Sequence, residues 1–436
     1  MENNNDNRSN DFPSWANPGQ NAEENNNQNN NSHQPQYYPG HGYHYGPRRR
    51  RNAPVIILVI FLLLVGITIV SSFVARGINR VAIISGTLTA LADGRGIPAE
   101  GIRFSQTGIT LDIGLAHSAV VVETHNQPDF LVVFTPPTRG DYVRPVYEFS
   151  HNGTRLTITE ETRINVGIIN INNSNQRSVV TVFVPQNVDG AFSNMDISTS
   201  SGRIDIRGNN ENENRLATNA NIRASSGRVQ AENFTANTIE IRTSSGSINI
   251  YDLIAATGDF AVRSTSGGIR ANGLTAAGDM GFNSSSGRIN ICCVTVAGRL
   301  SAEATSGRVT LNNTTTGNAS IRTSSGSIDI ENSGTTAGDF TARSTSGGIR
   351  ANGLDVSGSL YMNASSGRLT ANNVDVVNNV SMESTSGRIS LENSRVGGQI
   401  YCRASSGSVT ISGVTDESRM SLRTTSGRIT VNGQRW

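Results

Sequence analysis

Lysine is absent from this chain: all 36 basic residues are arginine. A Gly-Lys-Ser/Thr phosphate loop is therefore excluded. Aromatic residues make up only 6% of the 436, a poor supply for an ordinary globular enzyme core. Only three cysteines occur, Cys292, Cys293 and Cys402. Neighbours on a strand point to opposite faces, so Cys292 and Cys293 are not expected to face one partner. Cys402 lies about five repeats further on, beyond ~20 Å in a stack, too far for a bridge. The thiols read as small apolar residues. The net charge of +2 makes no argument for nucleic acid. The C-terminal half carries no His, no paired-carboxylate constellation and no Ser/His/Asp or Cys/His arrangement, and the calcium-binding nonapeptide is missing. Catalysis, cofactor binding and a metal site are not expected. Asp259, Asp279 and Asp339 read as turn caps.

What is present is a repeat. A Ser-Gly step preceded by Ser or Thr recurs twelve times, at Gly202, Gly227, Gly246, Gly267, Gly287, Gly307, Gly326, Gly347, Gly367, Gly387, Gly407 and Gly427. The first interval is 25 residues and the others are 19 to 21. Two residues after each glycine stands Ile, Val or Leu. A period near 20 marks a stacked architecture. A second period overlies it: residues 241–274 and 321–354 are nearly identical, 80 residues or four repeats apart.

With the glycine as position zero, +2 and +4 fall on one face of a strand, as in Ile289 with Ile291 and Ile389 with Leu391. A second strand is expected at pairs such as Leu300 with Ala302, Phe340 with Ala342, and Leu360 with Met362. One such coil buries too little to offset its ordering, but stacking makes the core continuous. The expected fold is all-β: a parallel β-helix (β-solenoid) of about twelve ~20-residue coils. The corner glycine answers to a positive φ or to close approach of neighbouring coils. The Ser and Thr hydroxyls can hydrogen-bond along the stack.

Ahead of the repeats, residues 1–52 are rich in Asn, Gln, Pro and Gly and are expected to be a disordered tail. Residues 53–75 carry no charge and are long enough for a transmembrane helix. Arg48, Arg49, Arg50 and Arg51 precede that run, which puts the N-terminus in the cytoplasm and the repeats outside, in a single-pass plasma-membrane protein. A cleaved signal peptide is the competing reading, opposed by the long lead and by Phe73 near the small-residue cleavage position. Residues 76–195 read as a β-rich juxtamembrane region that covers the first coil, with strand signals at 81–84, 109–113, 120–122, 130–134, 156–158, 168–171 and 179–184. The repeat domain is 196–436. His117, His125 and His151 are scattered and read as surface or structural residues.

Arginines form two rows. Position +1 holds Arg203, Arg228, Arg288, Arg308, Arg368, Arg388 and Arg428, and position −4 holds Arg223, Arg242, Arg263, Arg322, Arg343, Arg403 and Arg423. Both rows are expected on the same corner with like charges mostly kept apart. Arg288, Arg308, Arg368 and Arg388 are the candidate anion-binding ladder; a solvated face is the other reading.

The Ser-Gly-Arg-Ile, Ser-Gly-Ser-Ile and Ser-Gly-Gly-Ile steps, entered through Val180-Thr-Val-Phe-Val-Pro185, resemble the bacterial adhesin-like β-strand-repeat family DUF4097 over residues 105–436. The resemblance implies a β-solenoid exposed outside the membrane, an adhesin label and, in some members, a link to envelope-stress regulation. It carries no catalytic residues. The expected function is a membrane-anchored, adhesin-like or envelope structural protein, with a stress sensor signalling to its cytoplasmic tail as the alternative. Expected partners are the membrane, an envelope polymer or surface glycan, and a second copy meeting tip to tip, because little beyond Val431 is left to cover the last coil.

Overall fold

Period-two alternation governs the strands of the computed structural model, which describes residues 97, 100–138, 144–160, 177–209, 214–414 and 416–436. In Met280–Ser284 every second side chain is buried, and Ile289–Cys292 follows the same rule. The +2 and +4 residues Ile289 and Ile291 are inside, as are Leu300, Ala302, Phe340, Ala342, Leu360 and Met362. A third short strand, such as Thr275–Ala276 or Asp375–Val376, completes the coil. Its inward residues are Leu274 with Ala276, and Val374 with Val376.

Equivalent strands stack in parallel, with local register shifts at Arg215/Ala217 and Val296/Arg299. Ile289 pairs with Ile269 on one side and Val309 on the other. Because the side-chain period is two, this register keeps every apolar residue in one shared core. The twelve corners bound eleven complete turns. At the corners the choice between positive φ and close approach is decided. None of the twelve glycines has a positive φ. A Cβ added at any glycine from Gly227 to Gly427 in this row would lie 1.6–2.0 Å from the carbonyl oxygen of the preceding corner glycine.

The stack continues past the first glycine. We number β1 (Ile102–Phe104), β2 (Ile109–Leu115), β3 (Ala119–His125), β4 (Phe130–Thr135), β5 (Pro145–Ser150), β6 (Arg155–Glu160), β7 (Val179–Pro185), β8 (Phe192–Thr199) and β9 (Ile204–Arg207). β2 pairs in parallel with β6 and β8, and β3 with β7 and β9. The coil β2–β3 is thus sandwiched between two that follow it in sequence. Ser118 and Ser178 stand at the corner, their hydroxyls bonded to each other, and the Ala119 amide donates to the Ser178 carbonyl at 2.8 Å. Parallel pairing bridges the expected boundary at 195/196.

The outer edge of this end is covered. β5 runs antiparallel on β6, β4 on β7, and β1 on β4, so the core is closed by strands that cannot extend the parallel stack. Aromatic rings plug it: Phe104 stacks on Phe130 at 4.8 Å, and Phe130 meets Phe192 at 5.6 Å. At the other end Gln434–Arg435 pairs antiparallel with Ile429–Val431, while Met420, Leu422 and Ile429 are only partly buried.

Among the described residues the helical element is the 3-10 turn Glu417–Arg419, and no helix is long and apolar enough to cross a membrane. The expected tail 1–52 and membrane span 53–75 lie outside the described residues, as do the strand signals at 81–84 and 168–171.

Candidate functional site

Three consecutive positions before the corner glycine build one surface. Position −3 is Ser, Thr or Ala and faces the core. Its hydroxyl ties the corner together: the Gly287 amide donates to Ser284 Oγ at 2.9 Å, the Gly387 amide to Ser384 Oγ at 2.8 Å, and Thr243 Oγ1 donates to the Gly246 carbonyl at 2.7 Å. These buried hydroxyls brace the corner from within, and at Ser201 and Ser426 the hydroxyl of the Ser-Gly step also donates to the neighbouring coil, to the Ala116 carbonyl at 3.1 Å and the Ser405 carbonyl at 3.3 Å. Alternation then turns the −4 side chain outward, beside the exposed −2 hydroxyls such as Ser244, Thr305 and Ser324.

These side chains line a groove of about 1180 Å³. It runs from Gly114–Ala116 and Glu160 to Asn363 and Ser365. Eleven stacked strands cross it, a length of ~48 Å at the usual strand spacing. The order of its −4 residues follows from the register: Arg223, Arg242, Arg263, Asn283, Glu303, Arg322, Arg343, Asn363. Beyond the groove the row continues through Glu383, Arg403 and Arg423. The duplicated block therefore repeats Arg-Arg-Asn-Glu.

Arg242 pairs with Glu240 on its own strand. Arg223, Arg263, Arg322 and Arg343 are exposed and form no ion pair among the described residues. At the first end of the groove the Glu160 carboxylate accepts the amides of Ala116 at 2.7 Å, His117 at 2.8 Å and Ser118 at 2.9 Å. Its charge is thereby engaged by backbone. The groove offers guanidinium groups with no ion pair among the described residues, each with a planar fork of donors, and rows of hydroxyls.

Arg288, Arg308, Arg368 and Arg388 are exposed but none lines the groove. Arg288 and Arg308 occupy adjacent coils, as do Arg368 and Arg388: the Ile289 amide donates to the Arg308 carbonyl and the Leu369 amide to that of Arg388, both at 2.9 Å. Arg308 Nε donates to Ser327 Oγ at 2.9 Å and lies 3.5 Å from Asp329. Arg388 Nε donates to Ser408 Oγ at 3.1 Å. Where −4 holds the Arg322–Arg343 pair, +1 holds Ser327 and Gly348.

The remaining polar candidates are structural in their contacts. Asp259 Oδ1 accepts the Asp279 amide at 2.9 Å, Asp279 Oδ1 the Arg299 amide at 2.8 Å, and Asp339 Oδ1 the Ser359 amide at 2.8 Å, each capping the next coil. The His125 ring bonds the Asp129 carbonyl at 2.8 Å, and His117 Nδ1 bonds Ser201 Oγ at 3.2 Å. The cysteine expectation is corrected. The Cys292 and Cys293 sulfurs lie 2.8 Å apart, because Cys293 leaves the strand at φ 58° and alternation no longer applies to it. Cys293 is exposed and Cys292 half-buried; Cys402 alone is buried.

The family model Toastrack, DUF4097, matches residues 111–331 and 282–435. This chain belongs to the Toastrack family. Comparison with curated proteins and with solved structures found no match. The Toastrack match begins inside β2, so it takes in the coils closed by Ser118 and Ser178 as well as the glycine-cornered repeats. The groove lies almost wholly within this Toastrack solenoid.

Proposed function

We propose that this Toastrack chain is a membrane-anchored, surface-exposed binding protein, adhesin-like in role, whose corner groove holds an extended anionic polymer of the cell envelope or a surface glycan. The observation that carries the reading is the ~48 Å groove with four guanidinium groups that lack an ion-pair partner among the described residues. Unpaired like charges one strand apart repel, and an anionic ligand relieves that repulsion. Rows of hydroxyls at a regular spacing suit a chain molecule with repeating polar groups. Anchoring is supported by the uncharged run 53–75 behind four arginines.

The test is equilibrium binding of the full chain to anionic wall polymers and surface glycans at low and near-physiological ionic strength. Replacing Arg263, Arg322 and Arg343 by Ser weakens binding about tenfold, as three exposed ionic contacts would. The same replacement at Arg288, Arg308, Arg368 and Arg388 changes it little. Salt-insensitive binding, or equal loss from both sets, contradicts the assignment to the groove.

A further inference from the structure

The charge order in the groove says more than its sign. Its arginines are not continuous: Arg242 and Arg263 are followed by Asn283 and Glu303 before Arg322 and Arg343. Glu303 is exposed and stands directly beside Arg322 in the register, yet the two form no ion pair. Its charge is therefore presented to the groove rather than spent on its neighbour. A uniformly anionic chain threaded along these rungs would set negative charge on Glu303. Four coils on, Glu383 recurs at the same position, and its Oε2 accepts from Asn363 Nδ2 at 3.3 Å. The interval between the two carboxylates is ~19 Å at the strand spacing.

We infer that the groove is built for a linear polymer that carries cationic as well as anionic groups, the anions at the paired arginines and an ammonium at Glu303. This rests on the polymer-binding reading above and narrows its ligand class. Asn283, between the cationic and anionic rungs, can serve either sign through its carbonyl and amide. Charge alternation of this kind sets specificity: the wrong polymer meets a repulsive rung, and the right one meets attraction at every rung.

The experiment compares two probes on the full chain. One is poly(glycerol phosphate). The other is the same polymer with part of its hydroxyls esterified by an amino acid bearing a free ammonium. The esterified polymer is expected to bind about threefold tighter, the worth of one exposed ion pair, despite its lower net charge. Glu303→Gln is expected to bring the two affinities together without weakening the unesterified polymer. Equal or weaker binding of the esterified polymer overturns the inference and leaves the polyanion reading standing. A preference that survives Glu303→Gln also overturns it. Binding of neither polymer removes both.

Discussion

Each coil has three strands, and two of its corners obey different rules. At the first, the constraint is contact. The corner glycines have ordinary φ, and an added Cβ would overlap the backbone carbonyl of the coil before. At the second, six residues on, the constraint is conformation. Asn233, Asp252, Cys293, Asn313, Asn332, Asn373 and Asn393 all have φ between 46° and 58°, and Gly273, Gly353, Gly413 and Gly433 take four of the other places with positive φ; Gly208, after Gly202, does not share it. The left-handed region is open to Gly and tolerated by Asn and Asp. A corner that packs backbone on backbone admits one residue type in every copy, whereas a corner that only needs a left-handed residue accepts several.

Gly307→Ala tests the contact rule and carries the largest expected effect. Its Cβ would stand 1.9 Å from the Gly287 oxygen, so the coils must separate. The expected loss is above ~4 kcal/mol, or loss of cooperative unfolding, read from chemical denaturation. A loss under ~1 kcal/mol breaks the comparison. Asn373→Ala tests the conformational rule at φ 52° and is expected to cost ~1–2 kcal/mol, with Asn373→Gly close to neutral. Cys293→Asn is expected to be neutral or to stabilise by up to ~1 kcal/mol, because Asn suits the left-handed region better than Cys.

The smallest effect concerns reactivity. Burial pushes the Cys402 thiol up to about 12, and the Cys293 thiol pushes Cys292 up to about 11. At pH 8 an alkylating reagent is expected to label the exposed Cys293 and to spare Cys402 until the chain unfolds. The sign for stability follows. Because Cys402 is held above its ordinary value of 9.0, its contribution is full below pH 9 and is lost as pH rises from there towards about 12. Denaturation midpoints across that interval check this, with Cys402→Ala as the reference.

The same contrast explains what could be read beforehand. The first corner is legible because contact leaves only Gly, and the Ile, Val or Leu two residues later marks the inward face. The second corner leaves no such signature, since Asn, Asp, Gly and Cys share a conformation rather than a type. The first coils were hidden for a related reason. Ser118 and Ser178 break the glycine signature, and the placement of β2–β3 between later strands is set by long-range pairing that no local pattern records. Of the two arginine rows, periodicity shows both equally. Position −4 lies within a strand and alternates away from the buried −3 residue, so it forms the groove wall; position +1 precedes the next strand, and its residues do not line the groove.

That difference between the two rows is what the functional reading stands on. Its most direct test is chemical footprinting of the full chain with an arginine-selective dicarbonyl reagent, with and without poly(glycerol phosphate), each site quantified by mass spectrometry. The polymer is expected to slow modification of Arg263, Arg322 and Arg343 and to leave Arg288, Arg308, Arg368 and Arg388 at their free rates. Protection of the second set with the first unprotected would place the binding face elsewhere and contradict the account.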